Sequence, residues 1–235
     1  PYSDGPSYVD AIRQRDGWAG VSAAFDDPPV STEQTIHATD DEPVPIDYTD
    51  RARDGWTTYP AQGQNGSDTV GEASMYVMFW YQAREAGANT VDPRSLADTD
   101  GPYDQYNYDA EPSAGWGNDR LFPYRNEGGN ATQYGYVWVT EWDERRDATQ
   151  FVEAYRAILD AHDAKRRAEG TYVIPDGDYA DAFRIDRNGT RVTVVNGPTV
   201  GALSEIRPGG VADGGDDGGG ERSGGAAPGF GPVAA

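Results

Sequence analysis

Phe183-Arg184-Ile185-Asp186-Arg187-Asn188-Gly189-Thr190-Arg191-Val192-Thr193-Val194 is the stretch that decides the fold. Apolar and polar residues alternate on both sides of Asn188-Gly189. That dipeptide is the strongest short-range signal for a β-hairpin, because the tight turn needs φ > 0 at both central positions. Residues 121–124 and 134–142 also have strand character, being aromatic and β-branched, and residues 126–130 read as their connecting turn.

Away from these strands the pattern becomes helical. Residues 6–25 begin with Pro6, which suits a first helical turn, and Tyr8, Val9 and Ile12 recur at helix-like spacing. Asp16-Gly17 breaks that run and Pro28-Pro29 ends it. Ser31-Thr32-Glu33-Gln34 fits a capping box for a short helix to His37, with Ser31 as N-cap and Gln34 reaching back. Thr69-Val70-Gly71-Glu72 reads as a second box. It opens a run over residues 73–81 that is apolar on nearly every side, so a central buried helix is expected there. Asp143 is read as the N-cap of the longest helix, residues 146–168, on which Ala148, Phe151, Tyr155, Ile158 and His162 form one stripe. Residues 199–207 add a last short helix.

The acidic, Pro- and Gly-rich residues 40–66 and the tyrosine-bearing residues 92–112 read as surface loops. The fold class that follows is α+β, with helices packed on a small, mainly antiparallel sheet. One globular domain is expected over residues 1–207. Residues 208–235, rich in Gly and Asp with almost nothing to bury, are expected to be a disordered linker.

Charge narrows the setting. Forty acidic residues against 19 basic ones give a formal net charge of −21 in a chain of 235. Such a charge strains a compact fold by self-repulsion, and salt relieves it, since the Debye length falls to about 3 Å near 1 M. Lys165 is the only lysine; the other basic residues are arginines. Replacing flexible lysine stems by carboxylates leaves a densely hydrated surface, and the two-to-one acidic excess goes beyond what a GC-rich codon bias produces. The composition reads as halophilic. It argues against nucleic acid as a partner, because phosphate contacts need basic patches, and against direct binding of anionic lipid headgroups. There is no cysteine, hence no disulfide framework and no thiolate zinc site. No apolar run is long enough to span a bilayer. Three Asn-x-Ser/Thr triplets, at Asn65, Asn130 and Asn188, fall in loop-like sequence and favour glycosylation of an exported protein.

Candidate chemistry is sparse. The two histidines, His37 and His162, have no histidine partner four residues away, so the His-Glu-x-x-His zinc helix is absent. Glu33 and His37 are four apart and share a helical face, as an acid–base pair or as an ion pair that steadies a short helix. His162 continues the apolar stripe of its helix and suits the core edge or the helix C-terminus. In Gly115-Trp116-Gly117-Asn118-Asp119-Arg120 the bland expectation is a tight turn locked by an Asp119–Arg120 pair, and the functional one is a ligand or ion site. Glu72 is first a helix-start residue and second a buried functional carboxylate. The residues for a cleft are therefore Glu33, His37, Glu72, Asp119 and Arg120, with no catalytic or metal residue assigned. No Gly-rich phosphate loop, nucleophile elbow or EF-hand spacing occurs.

Several phrases carry a resemblance over roughly residues 1–168: Pro29-Val30-Ser31-Thr32-Glu33-Gln34-Thr35-Ile36-His37, Gly71-Glu72-Ala73-Ser74, Gly115-Trp116-Gly117-Asn118-Asp119-Arg120 and Glu141-Trp142-Asp143, with Asp147, Ala148 and Phe151 following. In these the chain resembles a family of haloarchaeal surface proteins related to bacterial lipoproteins of zinc-metallopeptidase type. In that family the zinc helix precedes this region. The resemblance therefore implies the C-terminal part of a larger protein, zinc in the full-length protein rather than in this chain, and a role in completing a substrate cleft or shielding the metal. Pro228-Gly229-Phe230-Gly231-Pro232 looks like the sorting signal of archaeal surface proteins, which implies a lipid anchor in the native protein and the cell envelope or surface layer as partner. The leading reading is thus an extracellular, cell-surface segment that is non-catalytic alone. The alternatives are a structural or carbohydrate-binding envelope module using exposed aromatics, and an independent enzyme built on carboxylates such as Glu33 and Glu72. The charge reading predicts a fold present in molar KCl that loses helical circular dichroism on dialysis to millimolar salt. An unchanged spectrum there returns the composition to codon bias.

Overall fold

The computed structural model describes residues 3–99 and 101–209. Among these residues the order is α1 (Asp4–Asp26), α2 (Thr32–His37), β1 (Trp56–Thr57), α3 (Glu72–Glu85), β2 (Trp116–Asn126), β3 (Gln133–Trp142), α4 (Arg145–Ala161), β4 (Lys165–Ala168), β5 (Thr171–Val173), β6 (Ala182–Asn188), β7 (Arg191–Gly197) and α5 (Val200–Ile206). The strands form one seven-stranded sheet in the order β1-β2-β3-β7-β6-β5-β4. Each neighbouring pair is antiparallel. The architecture is α+β, as the sequence predicts.

The expected hairpin forms, with Ile185 opposite Val194, but its turn lies one residue later than the dipeptide predicts. Asn188 is still in β6, opposite Arg191, and Gly189-Thr190 makes the turn, with Gly189 at φ 64°. Side chains alternate across the sheet, and each face collects its own core. On one face Trp138 and Trp142 of β3 and Val192 and Val194 of β7 meet Met75 and Phe79 of α3 and Phe151, Tyr155 and Leu159 of α4. On the other, Val137, Val139 and Val195 meet Leu203 and Ile206 of α5 together with Trp56. Tyr48 is stacked on Phe122 there, with ring centroids 3.8 Å apart, and ties the segment between α2 and β1 to the sheet.

The helix starts divide into those the sequence encodes locally and one it does not. Ser31 caps α2, accepting from the Gln34 N–H at 3.1 Å while the Gln34 side chain accepts from the Ser31 N–H. Gly17, at φ 69°, breaks α1 where Asp16-Gly17 predicts a break. Thr69 does not cap α3: the N-cap is Gly71, at φ 77° and without a side chain to offer. Its cap comes from elsewhere in the chain, as described below. Asp143 does not cap α4 either; Glu144 and Asp147 form the reciprocal box.

Two expectations about extent are corrected. The helix expected to run to residue 168 ends at Ala161, and Lys165–Ala168 becomes the edge strand β4. Residues 164–169 are good helix formers, but His162 at the C-cap binds the Gln82 Oε1 at 2.7 Å, Asp163 turns to φ 58°, and pairing with β5 prevails. The expected loop over residues 40–66 contains β1, whose Trp56 is buried and donates its indole N–H to Glu205 at 3.0 Å. Apart from residues 208 and 209, the stretch expected to be disordered lies outside the described residues.

Asp119 organises the region between α3 and the sheet. Its neighbour Arg120 points the opposite way, as strand alternation requires, and hydrogen-bonds Gln64; the expected Asp119–Arg120 pair and tight turn are not formed. The Asp119 carboxylate, fully buried, instead accepts from the Val70 N–H at 2.9 Å, the Gly71 N–H at 2.8 Å, the Trp116 indole at 3.0 Å and the Trp138 indole at 2.9 Å. Removing it strands four donors in the interior. Asp119→Ala is expected to lower stability by about 4 kcal/mol or more, read as the shift in urea midpoint in molar KCl. A loss under about 1 kcal/mol refutes this role.

Candidate functional site

Four separated stretches meet at the start of α3. Gly71 puts the chain on a left-handed turn, and its N–H and that of Val70 are held by Asp119. The next donor, the Ala73 N–H, is accepted by Thr32 Oγ1 of α2 at 3.3 Å. This long-range cap replaces the local box expected at Thr69. Between these tethers lies Glu72, fully buried on the first turn of α3.

His37, at the end of α2, places its Nε2 2.9 Å from Glu72 Oε1. It turns to Glu72 rather than to Glu33, so the pair expected within one helix is replaced by a link between two helices. The second oxygen, Glu72 Oε2, is buried without a hydrogen-bond partner among the described residues. Glu33 is also buried, at 6 % exposure, and feels the charges of Asp143 and Glu72. Asp109 from the loop after α3 adds its charge against both His37 and Glu72. Of the residues named from sequence, Glu33, His37 and Glu72 thus come together, Asp119 supports them from below, and Arg120 lies apart.

The electrostatics favour protons. Burial first, then Asp143 and Glu72, push the Glu33 carboxyl up to about 7. Burial raises Glu72 despite its bond to His37, and that same bond raises His37. Asp143 is raised as well, by burial and by Asp147 beside it. The node is a set of acids short of donors, and it retains protons that solvated carboxylates release.

Asp143 also lines a shallow depression of 330 Å³ with Glu111, Glu144 and Asp147, and Arg146 stands beside them. The described residues do not suit a resident zinc. Among the described residues no group of three or more His, Asp or Glu side chains is arranged to hold a metal ion. The Nε2 atoms of His37 and His162 are engaged by Glu72 and Gln82.

Sequence reasoning missed Thr32, Asp109 and Asp143 as members of this site. Asp143 closes the Glu141-Trp142-Asp143 phrase and reads locally as a helix cap, which gives no sign of its effect on Glu33. Thr32 stands inside a local capping box, which hides its second task. Asp109 gives no signal in a loop rich in acids. The glycosylation candidates Asn65, Asn130 and Asn188 are all exposed.

A family model described as "Domain of unknown function (DUF8575)" matches residues 57–207, and the chain belongs to that family. Neither a curated protein nor a solved structure matches the chain. The site straddles the edge of the match: Glu72, Asp109, Asp119 and Asp143 lie inside it, and Thr32, Glu33 and His37 outside.

Glu33, Glu72 and His37 bind protons more tightly in the folded state than in the unfolded chain. Each contribution is present at low pH and is lost as pH rises; that of Glu33 is complete below about pH 4.5 and is lost as pH rises through about 7. In molar KCl the urea midpoint is expected to fall between pH 5 and pH 8, and Glu33→Gln to flatten that fall. A variant with the parent's slope refutes the assignment.

Proposed function

With membership of this family as the premise, we propose that the chain is a segment of a cell-surface protein from a halophile, resembling the C-terminal part of a zinc-metallopeptidase-like protein and non-catalytic on its own. One observation carries the reading. The separate phrases on which the resemblance rests meet in space: Thr32 and His37 from the first reach Ala73 and Glu72 of the second, Asp119 of the third holds Gly71, and Asp143 of the fourth acts on Glu33. Phrases spread over more than a hundred residues of chain serve a single construction, which supports reading them together.

In this reading the node shapes a wall of the cleft, and the zinc and its ligands belong to the segment that precedes these phrases in the family. The acid-lined depression beside Asp143 supplies a negatively charged rim. The carbohydrate-binding reading is less well supported: Trp18 and Phe25 of α1, Tyr81 of α3 and Tyr134 of β3 are exposed but sit on separate elements. Outer location follows from the halophilic surface together with the sorting-signal resemblance, and the envelope is the proposed partner.

The test is to extend the chain at its N-terminus with the sequence that precedes it in its gene. A His-Glu-x-x-His motif there, and zinc-dependent peptide hydrolysis by the extended protein but not by residues 1–235 alone, is the expected result. Absence of the motif defeats the peptidase part of the proposal. Hydrolysis by residues 1–235 alone, lost in Glu33→Gln, defeats the non-catalytic part.

A further inference from the structure

We infer that Asn130 is the asparagine of this chain that carries an N-linked glycan, and that the fold closes the triplets at Asn65 and Asn188 to modification. The inference rests on the exported reading given above. A transferase acting on Asn-x-Ser/Thr must take hold of the carboxamide and of the hydroxyl two residues later. All three residues therefore have to leave their neighbours together, and any structure they belong to must open first.

Asn130-Ala131-Thr132 meets that demand without unfolding. All three residues are exposed, in the connection between β2 and β3, and Gly128 and Gly129 precede them. Neither Asn130 nor Thr132 makes a side-chain hydrogen bond among the described residues. The reaction asks nothing of the remainder of the fold. The amide nitrogen of Asn130 forms a bond to the anomeric carbon of a glycan activated as a lipid-linked phosphate ester. The bond from that carbon to the phosphate oxygen breaks, the phosphate leaves with its electron pair, and one amide proton passes to solvent.

Asn65-Gly66-Ser67 is exposed only at its first residue. Asn65 is held at φ 56°, and Gly66 is buried, its N–H bonded to the Gln62 carbonyl at 2.7 Å. Ser67 is 6 % exposed, and its hydroxyl, the group the enzyme needs, already donates to the Gln64 carbonyl at 2.9 Å. The Ser67 carbonyl accepts from the Gln64 N–H at 2.7 Å, which shuts the turn from the other side.

Asn188-Gly189-Thr190 is shut by the sheet. Asn188 pairs with Arg191, and Gly189 turns the chain at φ 64°. Extending this triplet breaks the Asn188–Arg191 pair that closes the β6–β7 hairpin, and Arg191 is itself held by pairing with Glu141 of β3. The three triplets are alike in sequence and differ in what must break before an enzyme holds them.

Glycopeptide mapping of the protein purified from its own cells is the test, alongside synthetic peptides spanning each triplet offered to membranes of those cells. Expected are occupancy at Asn130 at least tenfold above that at Asn65 and Asn188, and peptide acceptors within about threefold of one another. Comparable occupancy at Asn65 or Asn188, or a tenfold peptide preference for Asn130, overturns selection by the fold. No glycan on protein that external protease removes from intact cells overturns the glycan and leaves the surface reading standing. Protein that external protease cannot reach overturns that reading, and this inference with it.

Discussion

A single buried carboxylate sets the geometry on which the rest of the molecule depends. Asp119 gathers two backbone N–H groups from the turn before α3 and two indole N–H groups from adjacent strands of the sheet. A carboxyl group away from water is unfavourable unless donors surround it, and Asp119 has four. The same arrangement solves a second difficulty. Trp116 and Trp138 bring large apolar surfaces into the main core, and each has a polar N–H that must find a partner there. Fixing Gly71 in turn fixes the first turn of α3, and therefore where Glu72 stands.

The buried acids of this strongly acidic chain fall into two kinds. Asp119 and Asp147 are surrounded by donors, the latter through its box with Glu144 and a contact with Arg146. Glu33 and Glu72 are not: among the described residues the hydrogen bond made to the Glu72 side chain comes from His37, and its second oxygen has none. The first kind is structural in the ordinary sense. The second is short of donors, and burial raises both carboxyls above the ordinary carboxylate range beside one imidazole. Salt screens the exposed carboxylates but reaches this node poorly, so proton binding and ion screening act on different parts of one charge surplus.

Local signals in the sequence were read correctly where the interaction itself was local. Ser31 and Gln34 are three residues apart, the β6–β7 hairpin turns at Gly189, and Gly17 breaks the helix it sits in. Readings failed where a distant partner prevailed. Residues 164–169 favour helix by composition, yet β5 was waiting to pair with them. Thr69 had the right spacing for a cap, but Thr32 and Asp119 already held the donors. Asp119 and Arg120 looked like partners because they are adjacent, and adjacency in a strand sends side chains to opposite faces. Of the site, Glu33, His37 and Glu72 were legible as residue types at helix positions. Their meeting was not, because no local spacing encodes the packing of α2 on α3.

The edge of the family match at residue 57 is not an edge of the fold. Trp56 stands one residue before it and donates to Glu205 of α5, and Ile46, Tyr48 and Ala52 pack on the core formed by α5 and the sheet. The Val44 N–H reaches the Gly117 carbonyl at 2.9 Å, at the beginning of β2. Farther back, α2 caps α3 through Thr32 and gives the Glu72 side chain a hydrogen bond through His37. A chain cut at residue 57 would leave Glu72 with neither oxygen paired and the Ala73 N–H without its cap. The matched region therefore holds most of the strands and helices, but the preceding residues complete its polar interior. Whatever this node does is a property of the two parts together.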